Sequence, residues 1–323
     1  MKEFIKQLFL FILPLIAGAY FIDRFLSLNL EKSNTHAYKE YPTWNGILYG
    51  TINSDVVIYG DSRAWVQFDP AIIGSGLNTS VFNLGIDGHN FWMQYLRHKL
   101  LLKHNSKPRL IIHSVDAFTL QKRVDLFNPD QFLPYMLNNK DIKEATISYK
   151  GYQYLDYEVP LIRYYGKKEA IFTALKLFIR PSANPVTRIR GYEGQNKAWN
   201  SDFENAKSKM DVYTIRPDSA SIKLFEKYLT ECRLKNIRIL LVYAPEYIEG
   251  QKFIGNRNTI IELYLSFSKK YGVPFLDYSQ DTLSFNRDYF YNATHLNKTG
   301  AELFSKKLTE QIKNSKLFPA SQN

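Results

Sequence analysis

The order of apolar and polar positions divides most of this chain into two alternating kinds of stretch. Val56 to Tyr59, Val81 to Leu84, Leu110 to Ile112, Ile237 to Tyr243 and Val273 to Asp277 are short, nearly continuous apolar runs. Such runs are what strands covered on both faces require. Between them apolar residues recur at three- and four-residue steps, which predicts helices near His89–His104, Ile222–Lys235 and Asn258–Tyr271. Asn297 is of the N-cap type, and it precedes a stretch with Phe304, Leu308 and Ile312 on one helical face. Regular strand–helix alternation of this kind predicts a parallel sheet with helices on both faces, a three-layer α/β domain.

Two regions break the rhythm. Residues 119–219 hold no convincing buried strand and read as a helical and irregular insertion capping the carboxyl edge of the sheet. At the start, residues Gln7 to Ile22 are sixteen uncharged, mostly apolar positions between Lys6 and Asp23. As a helix they span about 24 Å, short of a hydrocarbon core of roughly 30 Å. Snorkelling by Lys6 and Arg24, with Phe25, Leu26 and Leu28 continuing the apolar face, closes the gap. Pro14 within the run suits a membrane helix better than a soluble one. The reading is a membrane anchor over residues 1–30, with a signal peptide cleaved near Ala17-Gly18-Ala19 as the competing one. Either exports the rest of the chain, residues 31–323, which reads as the α/β domain interrupted by that insertion.

Composition changes this picture in two places. One cysteine, Cys232, among 323 residues excludes a disulfide framework and any multi-cysteine metal centre. The net charge is +11, and residues 161–198 alone carry eight Lys/Arg against two Glu, a local +6. That run is either a solvated helix face or a contact surface for acidic glycan or lipid headgroups. Nucleic acid is not an expected partner, because export separates the chain from it.

No His-Glu-x-x-His, paired-cysteine, EF-hand, phosphate-loop or dinucleotide motif occurs, so no metal or cofactor is expected. The chemistry left is at the end of the first strand, where Gly60-Asp61-Ser62 follows directly. A serine there lies at the carboxyl edge of the sheet, where open α/β sheets place their sites. Of six histidines, His113 falls inside an apolar strand as a packed core residue, and His89 lies near the sheet edge. His295 stands just before the capped last helix, a position that returns it to the edge carrying Ser62.

Three blocks in this order resemble those of the SGNH/GDSL hydrolase superfamily. Val56 to Ser62 resembles the first block, with its Gly-Asp-Ser. Asn83-Leu84-Gly85-Ile86-Asp87-Gly88 resembles the second, and Asn292-Ala293-Thr294-His295-Leu296-Asn297 with Gly300 resembles the last. The resemblance implies a flavodoxin-like sheet, Ser62 as nucleophile, His295 as base, and an oxyanion hole from the N–H groups of Ser62 and Gly88. It is similar above all to exported, membrane-anchored members acting on cell-envelope polymers, such as alginate O-acetylation proteins and the D-alanyl transfer protein of teichoic acid.

The chain departs from that pattern twice. Ser114-Val115-Asp116-Ala117 stands where a Gly-x-Asn-Asp turn supplies a third oxyanion donor, and an ionised Asp116 would repel an oxyanion, so the chain either lacks that donor or uses Asn90 in its place. Asn292 stands where the triad aspartate belongs; its amide oxygen can still hold the His295 ring N–H, without adding charge, or Asp277 or Asp288 brings a carboxylate by another route, with Asp61 and Asp116 as accessory groups. The expected function is serine-dependent ester hydrolysis or O-acyl transfer on an acylated envelope glycan, with a membrane acyl-transfer partner in the transfer case. The alternative is a non-catalytic domain of the same type that binds glycan or an assembly partner.

Overall fold

A computed structural model describes residues 1–181, 184–315 and 317, which form two compact units. The larger unit, residues 47–122 with 188–323, contains the sheet. Its strands are β1 (Val56–Tyr59), β2 (Val81–Asn83), β3 (Leu110–Val115), β4 (Arg238–Tyr243) and β5 (Phe275–Asp277), in the order β2-β1-β3-β4-β5. All neighbours pair in parallel. This is the flavodoxin-like order, with its switch point between β1 and β3. β3 runs three residues beyond its aliphatic run, because Ser114 and Val115 pair with Val242 and Tyr243 of the long neighbouring strand.

Alternate strand residues face opposite layers. Val56, Ile58, Leu110, Ile112, Leu240 and Val242 share one core with Phe304, Leu308 and Ile312 of the final helix, Lys298–Asn314. Asn297 caps that helix by accepting from Gly300 N–H at 3.0 Å. On the other face, His113 is buried against Phe91, Phe225 and Tyr228. These come from the helices Phe91–His104 and Ser219–Leu234. Its ring bonds Tyr228 Oη at 3.1 Å and Gln94 Oε1 at 2.9 Å, as befits a core histidine.

The unit boundaries differ from the insertion limits of 119 and 219. Residues 188–219 belong to the sheet unit because backbone hydrogen bonds tie them into it. Asn83 N–H donates to Arg190 O at 2.9 Å, Asn200 N–H to Tyr291 O at 2.8 Å, and Tyr213 N–H to Phe253 O at 2.8 Å. Residues 31–46, assigned by sequence to the sheet domain, group instead with 1–30 and 123–187 in the smaller unit.

That smaller unit is built on one unbroken helix, Lys2–Leu30. It is long and apolar enough to cross a membrane, and its apolar window is exposed throughout. Burial begins at Asp23, whose carboxylate takes both guanidinium nitrogens of Arg163 at 2.7 Å and the N–H of Leu161 at 2.8 Å. Arg163 Nε donates to Leu133 O at 2.6 Å, so the buried cation is fully used. Ser27 Oγ bonds Tyr164 Oη at 2.9 Å one turn on.

Candidate active site

Gly60 ends β1 at φ +146°. A Cβ there would come within 2.7 Å of Ala64 Cβ and 2.8 Å of Ser114 Cβ, so this tight turn admits only glycine. Asp61 then caps the short helix Ser62–Gln67, its carboxyl oxygen accepting from Arg63 N–H at 2.8 Å. The first N–H of a helix has no intrahelical acceptor. Because the cap takes the N–H of Arg63, that of Ser62 is left for another acceptor. Arg63 itself is buried and anchors the turn, donating to Glu246 Oε1 and to Ala244 O, each at 2.7 Å.

The last block folds as a small antiparallel hairpin, β6 (Phe290–Asn292) with β7 (His295–Leu296), which the sequence pattern did not reveal. It carries His295 to the carboxyl edge, where Nε2 lies 2.8 Å from Ser62 Oγ. Nδ1 lies 2.9 Å from Asn292 Oδ1 and 3.0 Å from Thr294 Oγ1. The same Asn292 oxygen accepts the N–H groups of Thr294 and His295 at 3.1 and 3.0 Å, which fixes the asparagine's rotamer. With Nδ1–H donating to Asn292, Nε2 is free to accept from the serine hydroxyl. Tyr291 stacks on the imidazole at 5.2 Å between centroids.

Beyond Asn292 the chain of hydrogen bonds continues. Asn292 Nδ2 donates to Asp202 Oδ2 at 3.2 Å, and Asn200 Nδ2 donates to the same oxygen at 2.7 Å. Asp202 starts the helix Asp202–Lys207 and was not among the sequence candidates. No local motif marks it; the backbone bond from Asn200 to Tyr291 holds its segment here. The two carboxylates considered for this role are elsewhere. Asp277 is exposed and caps its own turn through Ser279 N–H at 2.9 Å. Asp288 is exposed, with its carbonyl accepting from Asn297 Nδ2 at 2.6 Å.

Burial, then the positive charge of Arg63, pushes the His295 ring down to about 4, so it is a neutral base at pH 7. Asp116 is no oxyanion donor. Its Oδ1 is filled by the N–H groups of Phe118 and Thr119 at 2.7 and 2.8 Å and by Thr119 Oγ1 at 3.0 Å. Burial, with the negative charge of Asp116 beside it, raises Asp61 well above the usual carboxylate range. Burial acts on Asp116 in the same sense, but a hydrogen bond from Asp61 and the charge of Arg63 hold it below its ordinary value. The two carboxyl groups are thus driven in opposite directions, Asp61 upward and Asp116 downward. Gly88 adopts φ +69°, a left-handed turn at the end of the second block. Asn90 is buried and begins the helix Phe91–His104 without capping it through its side chain. A cavity of about 610 Å³ adjoins the outer arm of the site, lined by Phe118, Asp202, Phe203, Tyr213, Asn292 and Thr294 among others.

No family model and no curated protein matches the chain. Among solved structures it is similar to a Bacteroides fragilis protein described provisionally as an acylhydrolase, at 14% identity and TM-score 0.40, covering 86% of this chain and 96% of that one. It is similar to a GDSL-like lipase from Bacteroides thetaiotaomicron at 14% identity and TM-score 0.37, covering 85% and 97%. An acetyl xylan esterase matches at 11% identity and TM-score 0.39, covering 80% and 98%. At these scores the chemistry has to be read from the chain's own residues.

Proposed function

We propose that this chain is a serine-dependent ester hydrolase or O-acyltransferase of the SGNH/GDSL type. The reading is carried by one observation: Ser62 Oγ, His295 and Asn292 form a continuous hydrogen-bonded line in the tautomer that nucleophilic catalysis needs. Ser62 Oγ attacks the ester carbonyl while His295 Nε2 takes its proton. The oxyanion is held by the N–H groups of Ser62 and Gly88, with Asn90 as a third donor. The imidazolium then returns the proton to the departing alcohol as the C–O bond breaks, leaving an acyl-Ser62. Water releases the acid, or a sugar hydroxyl takes the acyl group, with His295 accepting the proton of the attacking hydroxyl and returning it to Ser62 Oγ as the acyl–serine bond breaks.

The substrate in this reading is an acylated glycan of the cell envelope. The helix Lys2–Leu30 holds the chain in the membrane with the sheet unit on the extracytoplasmic side, and a membrane protein supplies the acyl group if the reaction is transfer. The resemblance to exported envelope enzymes supports this context, as does the continuity of the apolar helix with the smaller unit. The test is fluorophosphonate labelling and aryl-acetate hydrolysis by the full chain and by Ser62→Ala. Labelling and turnover should both vanish in the variant, with stability within about 1 kcal/mol of wild type, as for a half-buried turn residue. An unlabelled, inactive wild type that still binds glycan would favour the non-catalytic alternative.

A further inference from the structure

The smaller unit carries a second apolar surface besides its long helix. The helix Lys168–Ile179 packs on Lys2–Leu30, where the Phe178 ring meets that of Phe25 at 5.0 Å, and it buries Ala170, Ala174 and Leu177 on one face. Phe172, Leu175 and Ile179 recur at i, i+3 and i+7 on a different face, with exposures of 68%, 39% and 72%. Lys176 and Glu169 lie beyond that stripe, and Lys168 and Arg180 bracket the helix.

The level at which the two helices meet gives this stripe a partner. The uncharged run Gln7–Ile22 falls about 6 Å short of the hydrocarbon thickness, or four residues of helix. Four residues past Ile22 is Leu26. Ile22, Phe25 and Leu26 line one cavity with Ile171 and Leu175, so the second helix reaches the span where the apolar run gives out. Asp23 would be costly at that depth, yet it is buried and paired with Arg163.

We infer that the helix Lys168–Ile179 lies in the membrane interface, its Phe172–Leu175–Ile179 stripe in the acyl boundary and its charged flank toward water. It completes the apolar band that the anchor begins. Apolar residues on one arc and Lys/Arg on its edges are what an interfacial helix needs. This rests on the reading of Lys2–Leu30 as an anchor.

The test uses the full chain with Cys232→Ala, reconstituted into nanodiscs of phosphatidylcholine and phosphatidylglycerol. Single nitroxides are placed by Phe172→Cys, Ile179→Cys, Lys176→Cys, Glu169→Cys and, as an anchor reference, Leu15→Cys. Positions 172, 179 and 15 should collide more with oxygen than with a water-soluble nickel complex, and positions 169 and 176 the reverse. Nickel access at 172 and 179 with a lipid-exposed label at 15 overturns the interfacial helix alone. An aqueous label at 15 overturns the anchor and this inference with it. Labels at 172 and 179 shielded from both reagents would mean that protein, not lipid, covers the stripe.

Discussion

An asparagine oxygen can hold a catalytic histidine in one tautomer but lends no charge to the imidazolium that forms during attack. Asp202, hydrogen-bonded to the far side of Asn292, supplies the negative charge at one remove. Removing it by Asp202→Ala loses one orienting hydrogen bond. Turnover of an activated acetyl ester should fall on the order of tenfold, the equivalent of about 1.4 kcal/mol, with little change in KM. Asn292→Asp alone sets two carboxylates against each other and removes the amide N–H that Asp202 accepts, so its turnover should not exceed wild type. Combining it with Asp202→Asn restores the bond with its polarity reversed and puts the carboxylate on His295. The double variant should outperform the single Asn292→Asp variant, with an interaction energy on the order of 1–3 kcal/mol in a double-mutant cycle. Strict additivity would remove Asp202 from the relay. The protonation state is testable in the same assay. Since His295 is pushed down to about 4, kcat/KM should stay level from neutral pH to about 5 and fall with a midpoint near 4. A midpoint near 6.5 would show a base that is fully hydrated.

At the scale of elements, the smaller unit depends on a buried ion pair more than on any strand. Asp23 and Arg163 are both 0% exposed, and the pair links the long helix to a segment 140 residues away. Desolvating two charges costs several kcal/mol, which their bidentate geometry and the extra bonds to Leu161, Leu133 and Ser27 offset. Asp23→Ala strands the guanidinium and should destabilise the unit by about 3–5 kcal/mol in chemical denaturation of the detergent-solubilised chain. Asp23→Leu with Arg163→Met should recover most of that loss, because no charge is then left buried alone. Equal destabilisation by the single and double changes would mean that packing, rather than charge, is what Asp23 provides.

Across the whole molecule, acid acts through histidines held neutral. Burial pushes His98 down to about 4 and His113 to about 3, and His295 joins them at about 4. Each has an ordinary value near 6.5 in the unfolded chain. The unfolded state therefore binds more protons between pH 6.5 and those lower values, so stability rises with pH across that window. The urea midpoint should fall as pH drops from 6.5 towards 4. A midpoint that stays flat over that range would contradict the burial of these rings.

Much of this arrangement was legible in the sequence because its signals are local. Runs such as Val56–Tyr59 and Arg238–Tyr243 state that both faces of a strand are covered, Asn297 caps its helix within three residues, and Gly60-Asp61-Ser62 specifies a turn only glycine can enter. Even the approach of His295 to Ser62 followed from strand order, since each lies at the carboxyl end of its unit of alternation. Tertiary structure alone decided the partners that lie far apart in the chain. Asn292 meets Asp202 across 90 residues, and Asp23 meets Arg163 across 140. The division into units was equally invisible, because residues 188–219 join the sheet through backbone bonds that carry no side-chain signature. Periodicity and capping are written in neighbouring residues, whereas which distant carboxylate closes on which amide depends on the path of the folded chain between them.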